Sequence, residues 1–302
     1  MTFIFYCGTK IASGIGTNIK TMIMKSNVKT SMKIFMMLLI FGSLMTACKK
    51  DEEETKVAVQ MTDDPFPMEM VRAAKIGVAK IELKDANGNY FTVFNGNTEV
   101  NMVEYTNGAT AEVSVNTVPA GTYTEAKITL SNASVELTDG RHFDANVSAS
   151  LTYNVKINPA VEVAEGETGA LLIDMDLSDS FQFQGAMMGG WVNDIADITG
   201  LRVFNPDFRA VNLAQTGSIE GQVTDDNGNP VAYAFVEVKY DYDDDGMPES
   251  VSTIADANGH YAIIGLPSGS YDMYCEFQDD DADVDNITVT VNHETTVNVT
   301  ID

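Results

Sequence analysis

Apolar and polar residues alternate with a period of two along most of this chain. In one segment Leu171, Ile173 and Met175 alternate with Asp174 and Asp176. A period of two places successive side chains on opposite faces of a β-strand, so the segment predicts a strand with one buried face. Three more segments share the pattern: Val57–Met61, Ile287–Val291 and Val297–Ile301. Many short strands of this kind predict an all-β protein built from β-sandwiches.

Turn dipeptides separate the alternating segments, since Asn-Gly and Asp-Gly favour hairpin turns. They occur at Asn87-Gly88, Asn95-Gly96, Asn107-Gly108, Asp139-Gly140, Asn227-Gly228 and Asn258-Gly259. No long helical periodicity is present, and we expect only one helical turn within Phe66–Ala74 and a short helix within Gly185–Asp197. The segment from Asn205 to Thr216 predicts a domain junction. We therefore expect two β-sandwich domains in tandem, at 57–212 and 217–302.

The N-terminal segment has the pattern of an export signal. A stretch of roughly 14 mostly apolar residues, Ile34–Ala47, ends at Cys48. It is too short to cross a bilayer, which needs about 20 helical residues. Three basic residues precede it: Lys25, Lys29 and Lys33. The pattern resembles a bacterial lipoprotein signal. We expect residues 1–47, starting at Met24 or Met32, to be removed and Cys48 to carry lipid, palmitate included. An ordinary signal peptide with a chance Cys is the alternative.

Residues 48–56 predict a solvated tether, because they hold a run of charges. Two lysines and then Asp51–Glu54 follow Cys48 directly. This order is similar to the surface-export signals of some Gram-negative lipoproteins. We expect an outer-membrane lipoprotein exposed at the cell surface, anchored by several acyl chains because one chain holds a protein only marginally. An anchor in the inner leaflet, facing the periplasm, is the alternative.

The charge balance limits the partners. The formal net charge is −26, and removal of residues 1–47, with five Lys and no acidic residue, would lower it to −31. Nucleic acid is excluded as a partner by this balance, because its recognition needs a basic face.

The cysteines are Cys7, Cys48 and Cys275, which leaves Cys275 without a disulfide partner. Alternation places Cys275 with Met273 and Phe277, so we expect a buried core thiol.

One acidic loop has the spacing of a calcium site. Asp241, Asp243 and Asp245 alternate and are followed by Gly246, as in loops of the D-x-D-x-D-G kind, and Glu249 is a further candidate ligand. The twelfth position, where an EF-hand has Glu, is Ser252. A solvated acidic loop is the alternative. A second acidic run, 279–285, lacks the Gly and the spacing, and predicts a soluble loop.

No catalytic motif is present, so we expect no enzymatic activity. His293-Glu294 lacks the second His of H-E-x-x-H, and neither G-x-S-x-G nor a phosphate-binding loop occurs. Asp174 and Asp176 form either a carboxylate pair or, as the pattern favours, the polar face of a strand. Trp191, the only Trp, either anchors a loop or core, which we favour, or stacks on a sugar.

Residues 217–302 resemble the carboxypeptidase regulatory-like domain, a prealbumin-like or transthyretin-like sandwich. Five motifs carry the resemblance in order: 221–225, 228–231, 236–238, 256–263 and 265–271. The resemblance implies a spacer or recognition module, with carbohydrate binding in related folds and no peptidase chemistry.

Residues 57–212 resemble a lipoprotein domain family of unknown function, number 4382. The matching segments are 59–65, 118–123, 172–177 and 208–211. The resemblance implies a β-rich fold and an envelope location, without an activity.

Together these features predict an envelope-anchored, non-catalytic binding or structural lipoprotein. One version is a carbohydrate-binding or adhesin-like module with a glycan partner. Another is a spacer with an envelope protein as its partner. A metal-assisted hydrolase, or an accessory subunit of one, is the enzymatic alternative. Calcium is the only cofactor that the sequence suggests.

Overall fold

The computed structural model of the protein describes residues 54–64, 70–145, 151–185, 187–188, 191–192, 195–240 and 249–302. The chain divides into two compact units, Met1–Asp51 and Glu52–Asp302, and every described residue belongs to the second. The signal segment, Cys48 and most of the tether therefore lie outside the described residues. Strand β1 begins at Lys56, where the predicted tether was expected to end.

The first domain consists of β-strands and short helical turns. Its strands are β1 (Lys56–Asp64), β2 (Val71–Asp85), β3 (Tyr90–Asn101), β4 (Ala111–Thr117), β5 (Gly121–Leu137), β6 (His142–Asp144), β7 (Leu151–Val163), β8 (Thr168–Asp176), β9 (Phe181–Gln184), β10 (Met187–Met188), β11 (Trp191–Val192), β12 (Gly200–Phe204) and β13 (Asp207–Asn212). Nine strands form one sheet in the order β3-β2-β5-β7-β13-β8-β1-β4, with β6 added to β5. The pairs β1–β8 and β7–β13 are parallel, and the other neighbours are antiparallel.

The large sheet curls around one hydrophobic core. Alternate residues such as Val59, Met61 and Ile173 are buried, as the period of two predicts. The two ends of the sheet lie together, because Asn116 Nδ2 on β4 donates to Val93 O on β3 at 3.3 Å. The curled sheet thus provides both walls of the first core.

Helical structure in this domain is brief. The one-turn helix α1, Leu177–Ser180, begins after Asp176, whose carboxylate caps it by accepting from Asp179 N. Turns of 3-10 helix span Met102–Glu104, Ile195–Asp197 and Leu213–Gln215. Of the short helix expected within Gly185–Asp197, the described residues therefore show only the 3-10 turn Ile195–Asp197. The helical turn expected within Phe66–Ala74 is wrong from Val71 onward, where β2 begins, and residues 65–69 lie outside the description.

The second domain is a sandwich of two four-stranded sheets. Its strands are β14 (Thr216–Asp225), β15 (Phe235–Tyr240), β16 (Glu249–Ile254), β17 (His260–Pro267), β18 (Gly269–Phe277), β19 (Asp280–Val289), β20 (Glu294–Thr296) and β21 (Val299–Ile301). One sheet has the order β17-β14-β20 with β21 also on β14, and the other has the order β16-β15-β18-β19. Ile219 and Tyr261 from the first sheet and Val238 and Met273 from the second belong to one core. The all-β class and the tandem β domains are confirmed.

Most of the predicted turns are correct. Five of the six glycines in the turn dipeptides have positive φ, between 76° at Gly108 and 90° at Gly140, as hairpin turns require. Asn95-Gly96 is the exception, because it lies inside β3 beside a shift in the β2–β3 register. The acidic run 279–285 is also not a loop: from Asp280 onward it forms β19.

Each domain contains a similar tyrosine corner. Tyr123 Oη donates to Pro119 O at 2.6 Å, and Tyr271 Oη donates to Pro267 O at 2.6 Å. Both rings are buried.

Cys275 is buried on the same side of β18 as Met273, which confirms the predicted core thiol, and burial raises its pKa to about 12.

Candidate functional site

Three adjacent strands bring acidic residues together where the two domains meet. Asp64, Asp176 and Asp207 are paired directly across β1, β8 and β13. We call them the aspartate row. Two positions along the same strands, Asp174 is paired with Arg209. Since alternate residues of a strand share a face, all five side chains belong to the face that turns away from the first core.

The aspartate row lines a small cavity at the domain junction. The cavity has a volume of about 200 Å³. Its other lining residues are Asp174, Phe208, Arg209 and Ser250, of which Ser250 comes from the second domain. Three strands of the first domain, β1, β8 and β13, and one of the second, β16, therefore line the same space.

Arg209 is the central cation of this junction. Its Nη2 donates to Asp174 Oδ2 at 2.6 Å, and its Nη1 donates to Gly265 O at 2.6 Å and to Tyr240 Oη at 3.3 Å. The side chains of Arg209 and Asp174 are only 13% and 7% exposed. Burial opposes the charge on Arg209, but Tyr240 and Asp174 outweigh it and hold the pKa of Arg209 above its usual value. Because Tyr240 and Gly265 belong to the second domain, Arg209 joins the two domains.

Gly265 permits this close approach. Its φ is +71°, in the region that favours glycine. A Cβ built there would lie 2.7 Å from Leu172 Cδ2 and 3.5 Å from Arg209 Nη2. Any other residue would therefore be strained by the positive φ and would have to displace the side chain of Leu172.

Two further contacts fix the junction. Asp64 Oδ1 accepts from Ser252 N at 2.6 Å and also from Ser252 Oγ. Asn107 N donates to Thr253 Oγ1 at 3.1 Å, Asn107 Nδ2 donates to His260 O at 3.2 Å, and Asn107 Oδ1 accepts from Ala262 N at 2.6 Å. Thus the end of strand β1 and the loop that contains Asn107 are bonded to β16 and β17 of the second domain.

Burial changes the acidity of the aspartates. It raises the pKa of Asp176 to about 6, against donation from Asp179 N and Ser178 Oγ. Burial, together with Asp174 and Asp176, holds the pKa of Asp64 well above its usual value. Asp207 is shifted the same way by burial and by Asp179. The neighbouring Asp63 is buried with neither carboxylate oxygen hydrogen-bonded, and burial likewise raises its pKa. Burial therefore raises the pKa of all three members of the aspartate row.

Asp174 and Asp176 lie on the polar face of β8, as the sequence pattern favours. That face is nevertheless buried at Asp174, which is 5% exposed because the second domain covers it. Strand alternation alone cannot distinguish a face covered by water from one covered by another domain. Asp64 and Arg209 were missed for the same reason. The available signal was Arg209 itself, a basic residue within the apolar strand segment Phe208–Val211 of a strongly acidic chain.

Most of the other predicted site residues lie outside the described part of the chain. Asp241, Asp243 and Asp245 lie outside the described residues, and so does the side chain of Glu249, although its backbone begins β16. The side chain of Trp191 is not described either. The three histidines, His142, His260 and His293, are exposed. Across the described ranges, no group of three His, Cys, Asp or Glu residues is placed to hold a metal ion. Within those ranges, too, no helix has the length and apolar character needed to span a membrane.

Each of the two domains matches one family model. Residues 54–190 match the family model "Domain of unknown function (DUF4382)", and residues 218–302 match "Carboxypeptidase regulatory-like domain". No curated protein matches the chain.

Several solved structures have partial similarity to the chain. BcpA, the major pilin subunit of Bacillus cereus, is 13% identical, with 82% of this chain and 99% of BcpA covered and a TM-score of 0.23. The minor pilin GBS52 of Streptococcus agalactiae is 11% identical, with 81% and 94% covered and a TM-score of 0.21. The Bacillus anthracis TIE protein is 8% identical with a TM-score of 0.23, and this chain spans only 45% of its length. TM-scores this low do not indicate a shared fold. The two family matches agree with the two-domain architecture: residues 54–190 are similar to DUF4382, and residues 218–302 are similar to the carboxypeptidase regulatory-like domain.

Proposed function

We propose that this protein is a non-catalytic structural lipoprotein of the cell envelope. Lipid on Cys48 anchors it, and the two β domains act as one stiff body that holds a binding surface away from the membrane. The partner is an envelope protein. The observation that carries this proposal is the buried polar junction, in which Arg209, Asp64 and Asn107 tie the domains together.

The junction supports stiffness because its polar groups are committed to one geometry. Interfaces between tandem domains are commonly polar and mobile. Here Arg209 is buried against a carbonyl, a phenol and a carboxylate at once. Displacing the domains would break the bonds of Arg209 to Gly265 O and Tyr240 Oη and leave only its bond to Asp174, and hydrogen bonds of a charged group contribute about 1.5–3 kcal/mol each. A spacer needs this kind of fixed connection.

The same geometry disfavours the metal-assisted hydrolase. The cavity of about 200 Å³ is smaller than the roughly 300–1,000 Å³ of typical ligand pockets. Its carboxylates already have structural partners: Asp64 bonds Ser252, Asp174 bonds Arg209, and Asp176 caps α1. None of its described lining residues is a histidine or a nucleophile next to a base.

The anchor and the location rest on the sequence. The acidic residues after Cys48 support exposure at the cell surface, and the periplasm-facing orientation is the rival. The charge of the mature chain supports a solvated protein that touches anionic membrane only through its lipid.

Fractionation of cells tests the anchor. We expect Cys48→Ala to release the protein from membranes and to abolish labelling with palmitate, while the matched variant Cys275→Ser stays anchored and labelled. Membrane retention of the Cys48 variant would contradict the lipoprotein assignment.

Protease treatment of intact cells tests the orientation. The native protein should be cleaved, and replacing Asp51–Glu54 with Ala should protect it without releasing it from membranes. Complete protection of the native protein would place it on the periplasmic side.

A glycan array with the unit Glu52–Asp302 tests the partner class: we expect no specific glycan, and a reproducible glycan hit would replace the protein partner by a carbohydrate.

A further inference from the structure

The aspartate row has a charge arrangement that sheets normally avoid. Directly paired residues on adjacent strands have Cβ atoms about 4.5–5.5 Å apart, where like charges destabilise the sheet. Here three carboxyl groups occupy such positions in succession, Asp64 beside Asp176 and Asp176 beside Asp207. Arg209 is the one basic side chain among the described residues that line the cavity, and it is bonded to Asp174. Full ionisation of the row is therefore poorly compensated.

The row is also mechanically linked to the second domain. Asp64 bonds both the backbone N–H and the hydroxyl of Ser252, and Ser250 lines the same cavity. A change of charge in the row therefore alters the contact between Asp64 on β1 and Ser252 on β16. Repulsion within the row pushes Asp64, which holds Ser252, away from its neighbours.

We infer that the aspartate row is a proton-controlled lock between the two β domains, closed when the row retains a proton and loosened when all three carboxyl groups are ionised. A protonated carboxyl removes one negative charge, and its O–H donates to an adjacent carboxylate oxygen. The same proton thus removes repulsion and adds a hydrogen bond. The lock needs neither lipid nor partner, so a failed anchoring experiment would not contradict this inference.

The groups packed around the row set the pH range. They are Asp63 on β1, Asp174 on β8, Asp179 on α1, Arg209 on β13, Tyr240 on β15, and the neutral Ser250 and Ser252 on β16. Asp176 has an ordinary value of 3.8 and a pKa of about 6 in the closed junction, chiefly through burial. The closed state therefore binds the proton more tightly than the open state. Its advantage is complete below pH 3.8 and is lost as the pH rises through about 6.

Hydrogen exchange of the Ser252 amide tests the lock. This amide donates to Asp64 across the junction, so its protection reports closure. The unit Glu52–Asp302 is used in chelator, at about pH 5 and about pH 7.5, with correction for the intrinsic pH dependence of exchange. With 3.8 as the lower limit of the pKa of Asp176 in the open state, we expect protection to be higher at the lower pH by up to about tenfold.

Two conservative variants locate the proton. Asp176→Asn keeps the cap of α1, because Asn caps helices as well as Asp does, and Asp207→Asn removes a second charge. We expect the double variant to show, at about pH 7.5, the protection that the wild type has at about pH 5, and to lose most of the pH dependence. Asp283→Asn, on exposed β19, should keep it.

Three results would overturn the inference. Protection of Ser252 in the wild type could be equal at both pH values. The pH dependence could survive in the double variant. Alternatively, added calcium at about pH 7.5 could restore protection that chelator abolishes. In that case the double variant would lose the response to calcium, whereas Asp243→Ala would keep it. The row would then be a cation site and not a proton lock.

Discussion

Replacing Arg209 by Met tests the central interaction of the junction. Met keeps most of the side-chain volume but removes the charge and the donors to Asp174, Gly265 and Tyr240. Asp174 would then be buried with neither oxygen paired, since its Oδ1 has no partner even now. Removing one member of a buried ion pair costs about 3–5 kcal/mol. We expect a loss of that size in the free energy of unfolding of the unit Glu52–Asp302, measured in urea at neutral pH.

Two further variants separate charge from packing. Arg209→Met combined with Asp174→Leu removes both charges, and apolar replacement of a whole buried pair is often neutral or stabilising. We expect the double variant to recover to within about 1 kcal/mol of the wild type. Arg202→Met is the matched surface control, because Arg202 is exposed and bonds only Gln182. It should change stability by less than about 0.5 kcal/mol.

The outcome that refutes the reasoning is a small effect of the single variant. A loss below about 1 kcal/mol for Arg209→Met, typical of exposed ion pairs, would mean that water reaches Asp174 or that the domains separate easily. Equal losses in the single and double variants would mean that packing, and not the unpaired charge, dominates.

Three other predictions follow from the fold. Gly265→Ala should destabilise the protein more than Gly228→Ala, because both have positive φ but only Gly265 is crowded, and urea unfolding measures the difference. Cys275 should react with a thiol reagent only after unfolding, because burial raises its pKa to about 12. Calcium should raise the melting temperature of Glu52–Asp302 by several degrees relative to chelator. Asp243→Ala should remove this gain and Asp280→Ala should not, whereas equal melting temperatures would leave a solvated loop.

Local sequence signals predict the strands and most turns because both depend on neighbouring residues. Period-two alternation identifies the buried residues of β1 and β8, and Asn258-Gly259 forms the expected turn. Asn95-Gly96 fails because pairing with β2 overrides the local preference for a turn. The run from Asp280 fails similarly, since pairing with β18 makes a strand of an acidic segment.

The junction is not predictable from local signals. Asp64, Asp176 and Asp207 are distant in sequence and become neighbours only through the parallel pairing of β1 with β8 and the return of β13. Their burial depends on a separate domain that covers this face. A sequence pattern reports which residues share a face of one strand, but not which strand or domain lies beside it.

Strand β19 has a further consequence for proteins held close together. It is the last strand of its sheet, and an uncovered last strand offers free backbone donors and acceptors to any other chain. Three alternate residues, Asp281, Asp283 and Asp285, are exposed along it. A second copy that approached in register would bring its own aspartates against these. Repulsion between these aspartates therefore opposes pairing of β19 with the same strand of a neighbouring copy, and with it the growth of fibrils from crowded folded molecules.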